Sequence, residues 1–140
     1  MDYAIIAAGE GSRLVQEGVK WPKPLVQLNG TALIDRLINV FLKNDASSIS
    51  IVNEEMTEVQ EHLRKLELPV PFYLLVKSTP SSMHSFYELS HHLDSDHICL
   101  TTVDTIFKEE EFGGYIQAFL KESQLDGLMA VTDFIDDEKP

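Results

Sequence analysis

Cysteine is almost absent from this chain. Cys99 is the one thiol in 140 residues, so no disulfide forms within the chain and no zinc site rests on paired cysteines. Positive charge is scarce as well. Eleven basic residues stand against 23 acidic ones, a net charge of −12. That argues against nonspecific nucleic-acid or anionic-membrane binding, which needs a positive field. A nucleotide needs only a local cluster of donors, so nucleotide binding stays open. No apolar run approaches the roughly 18 residues that span a bilayer. The N-terminus enters an apolar stretch with no positive n-region, which speaks against a secretory signal. No internal repeat or low-complexity block is present. What remains is an ordinary globular mixture, 44% apolar and 24% charged, at the usual length of one domain. The expectation is a single cytoplasmic domain over 1–140, without nucleic-acid or membrane partners.

Apolar runs alternate with helical patterns along the chain. Tyr3 to Ala8, Ile49 to Val52, Phe72 to Val76, Ile98 to Val103 and Leu128 to Val131 read as five strands. Leu33, Ile34, Leu37, Ile38, Phe41 and Leu42 recur at helical spacing, with Thr31 as N-cap and Asn44-Asp45 as stop. Thr57 and Gln60 form a capping-box pattern before Val59, Leu63 and Leu66, with Pro69 and Pro71 beyond. Thr79-Pro80 predicts the start of a third helix, with Met83, Phe86, Tyr87, Ser90 and Leu93 on its inner face. Glu109 to Glu111 open a fourth, where the macrodipole favours negative charge, followed by Phe112, Tyr115, Ile116, Phe119 and Leu120. The strands are continuous apolar runs, which indicates burial on both faces. The expected fold is α/β: three layers, α/β/α, around a mostly parallel Rossmann-like sheet. Ligands of such sheets sit beyond the C-terminal strand ends, near a reversal of strand order.

The residues after the strands therefore carry the search for chemistry. Strand one runs into Ala7-Ala8-Gly9-Glu10-Gly11-Ser12-Arg13-Leu14. Two glycines one residue apart allow a sharp turn and close approach of backbone to ligand. Their N–H groups can surround phosphate oxygens. A G-x-G turn alone also fits a plain strand exit. The dinucleotide fingerprint wants a third glycine where Leu14 stands, and the NTPase P-loop wants Gly-Lys-Ser/Thr. Arg13 beside the amides makes an anion clamp the better reading. Next comes Trp21-Pro22-Lys23-Pro24-Leu25. Trp21 and Lys23 each precede proline, which biases both to extended backbone. Lys23 is thereby held on a stiff segment.

The runs AAGEGSRL and WPKPLVQLNGTALIDRLI resemble the N-terminal part of the sugar-1-phosphate nucleotidylyltransferase and MobA-like NTP transferase superfamily. That family opens with an apolar strand, A-G-G-x-G-x-R-L, a spacer, P-K-P-L, a glycine and a helix. The match is close over about the first 40 residues. The resemblance implies transfer of a nucleoside monophosphate from a nucleoside triphosphate to a small phosphorylated acceptor, with release of pyrophosphate. It places Ala8, Gly9, Gly11, Ser12 and Arg13 around the nucleotide phosphates, Ala8 replacing the commoner first glycine. It gives Arg13 and Lys23 the catalytic, charge-neutralising role. It makes Asp104, after the fourth strand, a ligand of Mg2+ or Mn2+. Ser81 and Ser82 stand where the family often has Gly-Thr of its base-binding segment. A plain helix cap is the alternative for these serines, and a turn or cap for Asp104. The family's second metal aspartate lies downstream, with no counterpart before Pro140.

Other features read more simply. His91-His92 and the turn Asp94-Ser95-Asp96-His97 are a helix end, because adjacent histidines point apart on a helix. Cys99 is a small buried residue, and Asp133, Asp136, Asp137 and Glu138 form a solvated acidic tail. Trp21 is a stacking surface or a packed aromatic. The leading reading is a metal-dependent nucleotidyltransferase or its N-terminal part. A non-catalytic nucleotide sensor on the same fold is the alternative, and a dinucleotide oxidoreductase is disfavoured by Leu14. These residues are expected to form the nucleotide half of the cleft. The alternative is a minimal enzyme completed by homo-oligomerisation.

Overall fold

The computed structural model describes residues 1–7, 18, 21–54 and 56–133. The chain divides into two compact units, Met1–Ile106 and Phe107–Pro140.

The first unit runs β1 (Asp2–Ala7), a short 3-10 turn (Lys23–Leu25), β2 (Gln27–Leu28), β3 (Thr31–Ala32), α1 (Leu33–Leu42), β4 (Ser48–Asn53), α2 (Thr57–Arg64), β5 (Phe72–Val76), α3 (Ser82–Ser90) and β6 (Ile98–Thr102). Among the described residues, β5-β4-β1-β6 form one four-stranded sheet in that order. Every pairing in it is parallel. The chain moves outward from β1 to β4 and β5, then returns to the other side of β1 as β6. Strand order thus reverses between β1 and β6.

Helices cover both faces. Register pairs Tyr3 with Ile49 and Ile5 with Ile51, so these four share one face. The Tyr3 ring stacks on Phe41 of α1, centroids 4.2 Å apart, and its hydroxyl donates to the Asn44 carbonyl at 2.7 Å. Helix α2 lies beside α1, where His62 Nε2 is 2.8 Å from Asp35 Oδ1. On the opposite face Ala4, Ile6 and Val52 pack with Leu89 of α3, flanked by Leu75, Phe86 and Leu93. This is the three-layer arrangement expected from the alternating pattern.

The structure corrects several local expectations. Only the central strands β1 and β4 are buried throughout. Among the described residues β5 and β6 are the outer strands of the sheet, and they are half exposed, with Tyr73, Val76, Ile98 and Leu100 reaching solvent. Thr31 is not a helix cap. It belongs to β3, which pairs antiparallel with β2 through Leu28↔Thr31. The two-residue turn between them is Asn29-Gly30, with φ of 53° and 82°. Such an Asn-Gly hairpin needs left-handed backbone at both positions. Helix α2 is preceded by Met56 with no side-chain cap, so the Thr57/Gln60 box does not form. Helix α3 is capped by Ser81, whose Oγ accepts the His84 N–H, two residues beyond Thr79. Its buried residues are Ser85 and Leu89, with Phe86 half-buried. Met83 and Tyr87 point outward, 78% and 62% exposed.

The second unit contains α4 (Glu109–Lys121), which opens on three glutamates and buries Phe112 and Ile116. Phe107 stacks on Phe112 at 4.8 Å, and the Tyr115 hydroxyl donates to the Leu128 carbonyl at 2.6 Å. Leu128 to Val131 is not a strand: it pairs with no strand among the described residues. Met129 and Val131 are 81% and 84% exposed. An apolar run becomes a strand only where a neighbouring ladder satisfies its backbone. Among the described residues, no helix is long and apolar enough to cross a membrane.

Candidate active site

The C-terminal edge of the sheet at the reversal of strand order is where β1 and β6 end side by side, with Ile6 opposite Thr102. The turn after β6 is anchored there by the Val103 N–H, which donates to the Ile6 carbonyl at 3.2 Å. Val103 is buried while Asp104 faces outward. Thr102 and Thr105 hydroxyls lie 2.9 Å apart beside it.

Lys23 approaches from the Trp-Pro-Lys-Pro segment. Pro22 is extended, with φ −52° and ψ 143°. Lys23 is not extended, against the bias of a residue before proline. It opens the 3-10 turn, closed by Leu25 N–H to the Pro22 carbonyl at 2.9 Å and Val26 N–H to the Lys23 carbonyl at 3.2 Å. Two backbone bonds outweigh that bias. Pro24 is buried, and Leu33 N–H bonds the Val26 carbonyl at 3.0 Å, which ties the turn to α1. Trp21 is 63% exposed.

These two elements bring Lys23 and Asp104 together. Lys23 Nζ lies 2.6 Å from Asp104 Oδ2, with side chains 30% and 46% exposed. Burial pushes the Asp104 carboxyl up, but hydrogen bonds from Lys23, Thr102 and its own backbone, with the lysine's charge, outweigh it. The carboxyl is held below the usual range. It is thus ionised at neutral pH.

Asn53 is a further polar residue at this edge, and no sequence motif marks it. It ends β4 at the same sheet edge and is fully buried. Its Nδ2 donates to the Ala7 carbonyl at 2.9 Å, so it fixes the last described residue of β1. Its Oδ1 is buried with no hydrogen-bond partner among the described residues. The signal was available in sequence: a polar amide closing an apolar strand at the ligand edge.

Ala8, Gly9, Gly11, Ser12 and Arg13 lie outside the described residues. Ser81 and Ser82 begin α3. Ser81 Oγ is 2.8 Å from His84 Nδ1, so its observed contacts are those of a helix cap. His91 and His92 diverge, one edge-on to Tyr87 and one stacked on Tyr73. No cluster of three or more metal-ligating side chains occurs among the described residues. Burial holds the Cys99 thiol protonated, with its pKa pushed up to about 11.

A lysine and an aspartate thus meet at a strand-order switch point, the place where open parallel sheets hold their ligands. The sequence agrees: the model of the MobA-like NTP transferase domain matches residues 3–137. The chain belongs to this family. Relatives of this NTP transferase domain include the bifunctional protein GlmU of Thermodesulfovibrio yellowstonii, 30% identical over 123 residues, 86% of this chain and 26% of the relative. The 2-aminoethylphosphonate cytidylyltransferase of Lancefieldella rimae is 28% identical over 110 residues, 76% of this chain and 44% of the relative. Among solved structures, the inositol-1-phosphate CTP transferase from T. maritima shares the fold with a TM-score of 0.66 at 19% identity, over 77% of this chain and 45% of that one. The NTP transferase chain described here therefore spans less than half the length of each of these three.

Proposed function

We propose that this chain forms the nucleotide-binding side of a nucleotidyltransferase site. The reaction transfers a nucleoside monophosphate from a nucleoside triphosphate to a phosphate-bearing acceptor, a sugar 1-phosphate or a similar small phosphate. The observation that carries this reading is the meeting of Lys23 and Asp104 at the switch point between β1 and β6.

An acceptor phosphate oxygen forms a bond to the α-phosphorus. The bond from that phosphorus to the bridging oxygen breaks, and pyrophosphate leaves with the electron pair. The attacking oxygen is already anionic, so no proton has to move and no general base is needed. The barrier lies in bringing anions together, which charge and positioning lower. Two unit charges about 4 Å apart interact by roughly 4 kcal/mol at an effective dielectric near 20. Lys23 supplies one such charge from a turn fixed by two backbone bonds. Arg13 supplies a second by its place in the glycine segment.

The residues present fit a divalent cation. Asp104 is an ionised, half-exposed carboxylate with threonine hydroxyls beside it, and magnesium is usually held by one or two carboxylates plus substrate phosphates. A bound Mg2+ or Mn2+ would add positive charge that reduces repulsion among the phosphates. By the family resemblance, Ser81 and Ser82 at the start of α3 would contact the nucleoside base, in addition to the cap that Ser81 makes. A non-catalytic nucleotide sensor is the second reading, favoured by the single carboxylate at the described site.

Calorimetry with four nucleoside triphosphates, with and without magnesium, tests the binding claim. Arg13→Ala is expected to weaken the bound triphosphate, and Lys23→Ala to lower kcat more than it raises KM, by about 10²-fold. Pyrophosphate release against a panel of phosphates reads turnover. Binding without release assigns the sensor role, and failure of every triphosphate to bind overturns both readings.

A further inference from the structure

The two charged groups of the proposed site are not free to receive their ligands. Lys23 Nζ is 2.6 Å from Asp104 Oδ2, a direct contact within ion-pair hydrogen-bonding distance. The lysine that would meet a phosphate is neutralised by the aspartate that would meet a cation. The pair spans two separate elements, the 3-10 turn after Pro22 and the turn after β6. Both are fastened by backbone bonds, Leu25 N–H to Pro22 on one side and Val103 N–H to Ile6 on the other. The backbone at both ends of the pair is therefore fixed, and the short Asp104 side chain gives the Lys23 ammonium a set place to meet it. The site rests in a closed, internally compensated charge state.

We infer that the Lys23–Asp104 ion pair is an autoinhibitory latch that makes nucleotide and divalent cation bind as a unit. This rests on the function proposed above and adds its regulation. A lone divalent cation must take Asp104 away from Lys23 and leave an uncompensated ammonium beside itself. A metal-free triphosphate must take Lys23 and leave a carboxylate facing its own negative charge. When cation and triphosphate arrive together, each half of the broken pair gains a partner of opposite sign. Binding of each thus raises the affinity for the other, a reciprocal coupling required by linkage. The latch also disfavours occupation by inorganic anions or by a free cation, either of which would block the cleft without reacting.

The test uses gains of binding, which loss of a contact alone does not produce. Lys23→Met is expected to bind Mn2+ alone more tightly than wild type, by roughly two- to fivefold, the range a partly exposed ion pair supports. Free Mn2+ is read by electron paramagnetic resonance. Asp104→Asn is expected to bind metal-free CTP and ATP more tightly by a similar factor, read by calorimetry in chelator. Both variants are expected to bind the Mn2+–triphosphate complex more weakly than wild type. Equal or weaker binding of the single ligands by both variants overturns the latch. A second measurement needs no ligand. Thermal unfolding of wild type, both single variants and the double variant gives a double-mutant cycle, expected to show favourable coupling that is screened by salt. Zero coupling overturns the ion pair itself. If wild type binds no Mg2+–triphosphate while the cycle shows coupling, it is the proposed function that fails, and the pair stands as a structural link.

Discussion

Single residues at the two edges of the sheet have opposite duties, and Asp2 shows the structural one. It is buried, and its Oδ2 accepts the backbone N–H groups of Asp94 at 3.0 Å and Ser95 at 2.9 Å. The loop between α3 and β6 is thereby fastened to the N-terminal edge, far along the strands from Lys23. Removing this acceptor leaves two amides without their partner. Asp2→Ala is expected to cost about 1.5–3 kcal/mol, the range for hydrogen bonds to a carboxylate, read by urea unfolding. Nucleotide binding by the folded fraction should not change. A variant as stable as wild type would show that water replaces the carboxylate without loss. Asn53 and Asp104 are the counterparts at the opposite edge, the side of the proposed site, where Asn53 Nδ2 fixes the end of β1 through the Ala7 carbonyl and Asp104 faces outward.

At the scale of elements, the inner face of α3 decides how the third layer is built. Leu89 is fully buried against Ala4, Ile6 and Val52, whereas Met83 is 78% exposed. Leu89→Ala is expected to cost about 2–5 kcal/mol and Met83→Ala less than about 0.5 kcal/mol, both read by denaturant midpoint. Similar costs for the two would place the helix in another rotation. The helix also explains what the sequence could and could not show. Its existence follows from the apolar spacing, but its rotation does not, because Met83 and Tyr87 are as apolar as the residues that pack. Ser85 takes an inner position because its hydroxyl finds Thr79 Oγ1 at 2.6 Å, a tertiary bond that periodicity does not carry. The β2–β3 hairpin is the reverse case. Asn29-Gly30 is a hairpin signal, but the helical spacing that follows makes Thr31 look like a cap although it pairs with Leu28. The strands β1, β4, β5 and β6 were legible as apolar runs. Leu128 to Val131 was equally apolar and made no strand, since pairing depends on a neighbour and not on composition. Lys23 and Asp104 were legible as separate candidates. Their contact was not, because it depends on which strands end side by side.

For the whole molecule, the dominant electrostatic fact is a net charge of −12 against a proposed substrate that is itself a polyanion. The long-range field repels the triphosphate, while Lys23 and the proposed Arg13 attract it only at short range. These two contributions respond differently to salt. The Debye length falls from about 30 Å at 0.01 M to about 8 Å at 0.15 M, so added salt removes repulsion from distant carboxylates before it weakens contacts at a few ångströms. The association rate of a Mg2+–triphosphate is therefore expected to rise by a few fold between about 0.01 and 0.15 M salt. Stopped-flow with a fluorescent triphosphate analogue reads this directly. Lys23→Met should lower affinity at every salt concentration yet keep the upward trend, because the trend belongs to the acidic surface as a whole. An association rate that falls steadily with salt in the wild type would mean that the local positive field at the cleft already dominates the approach.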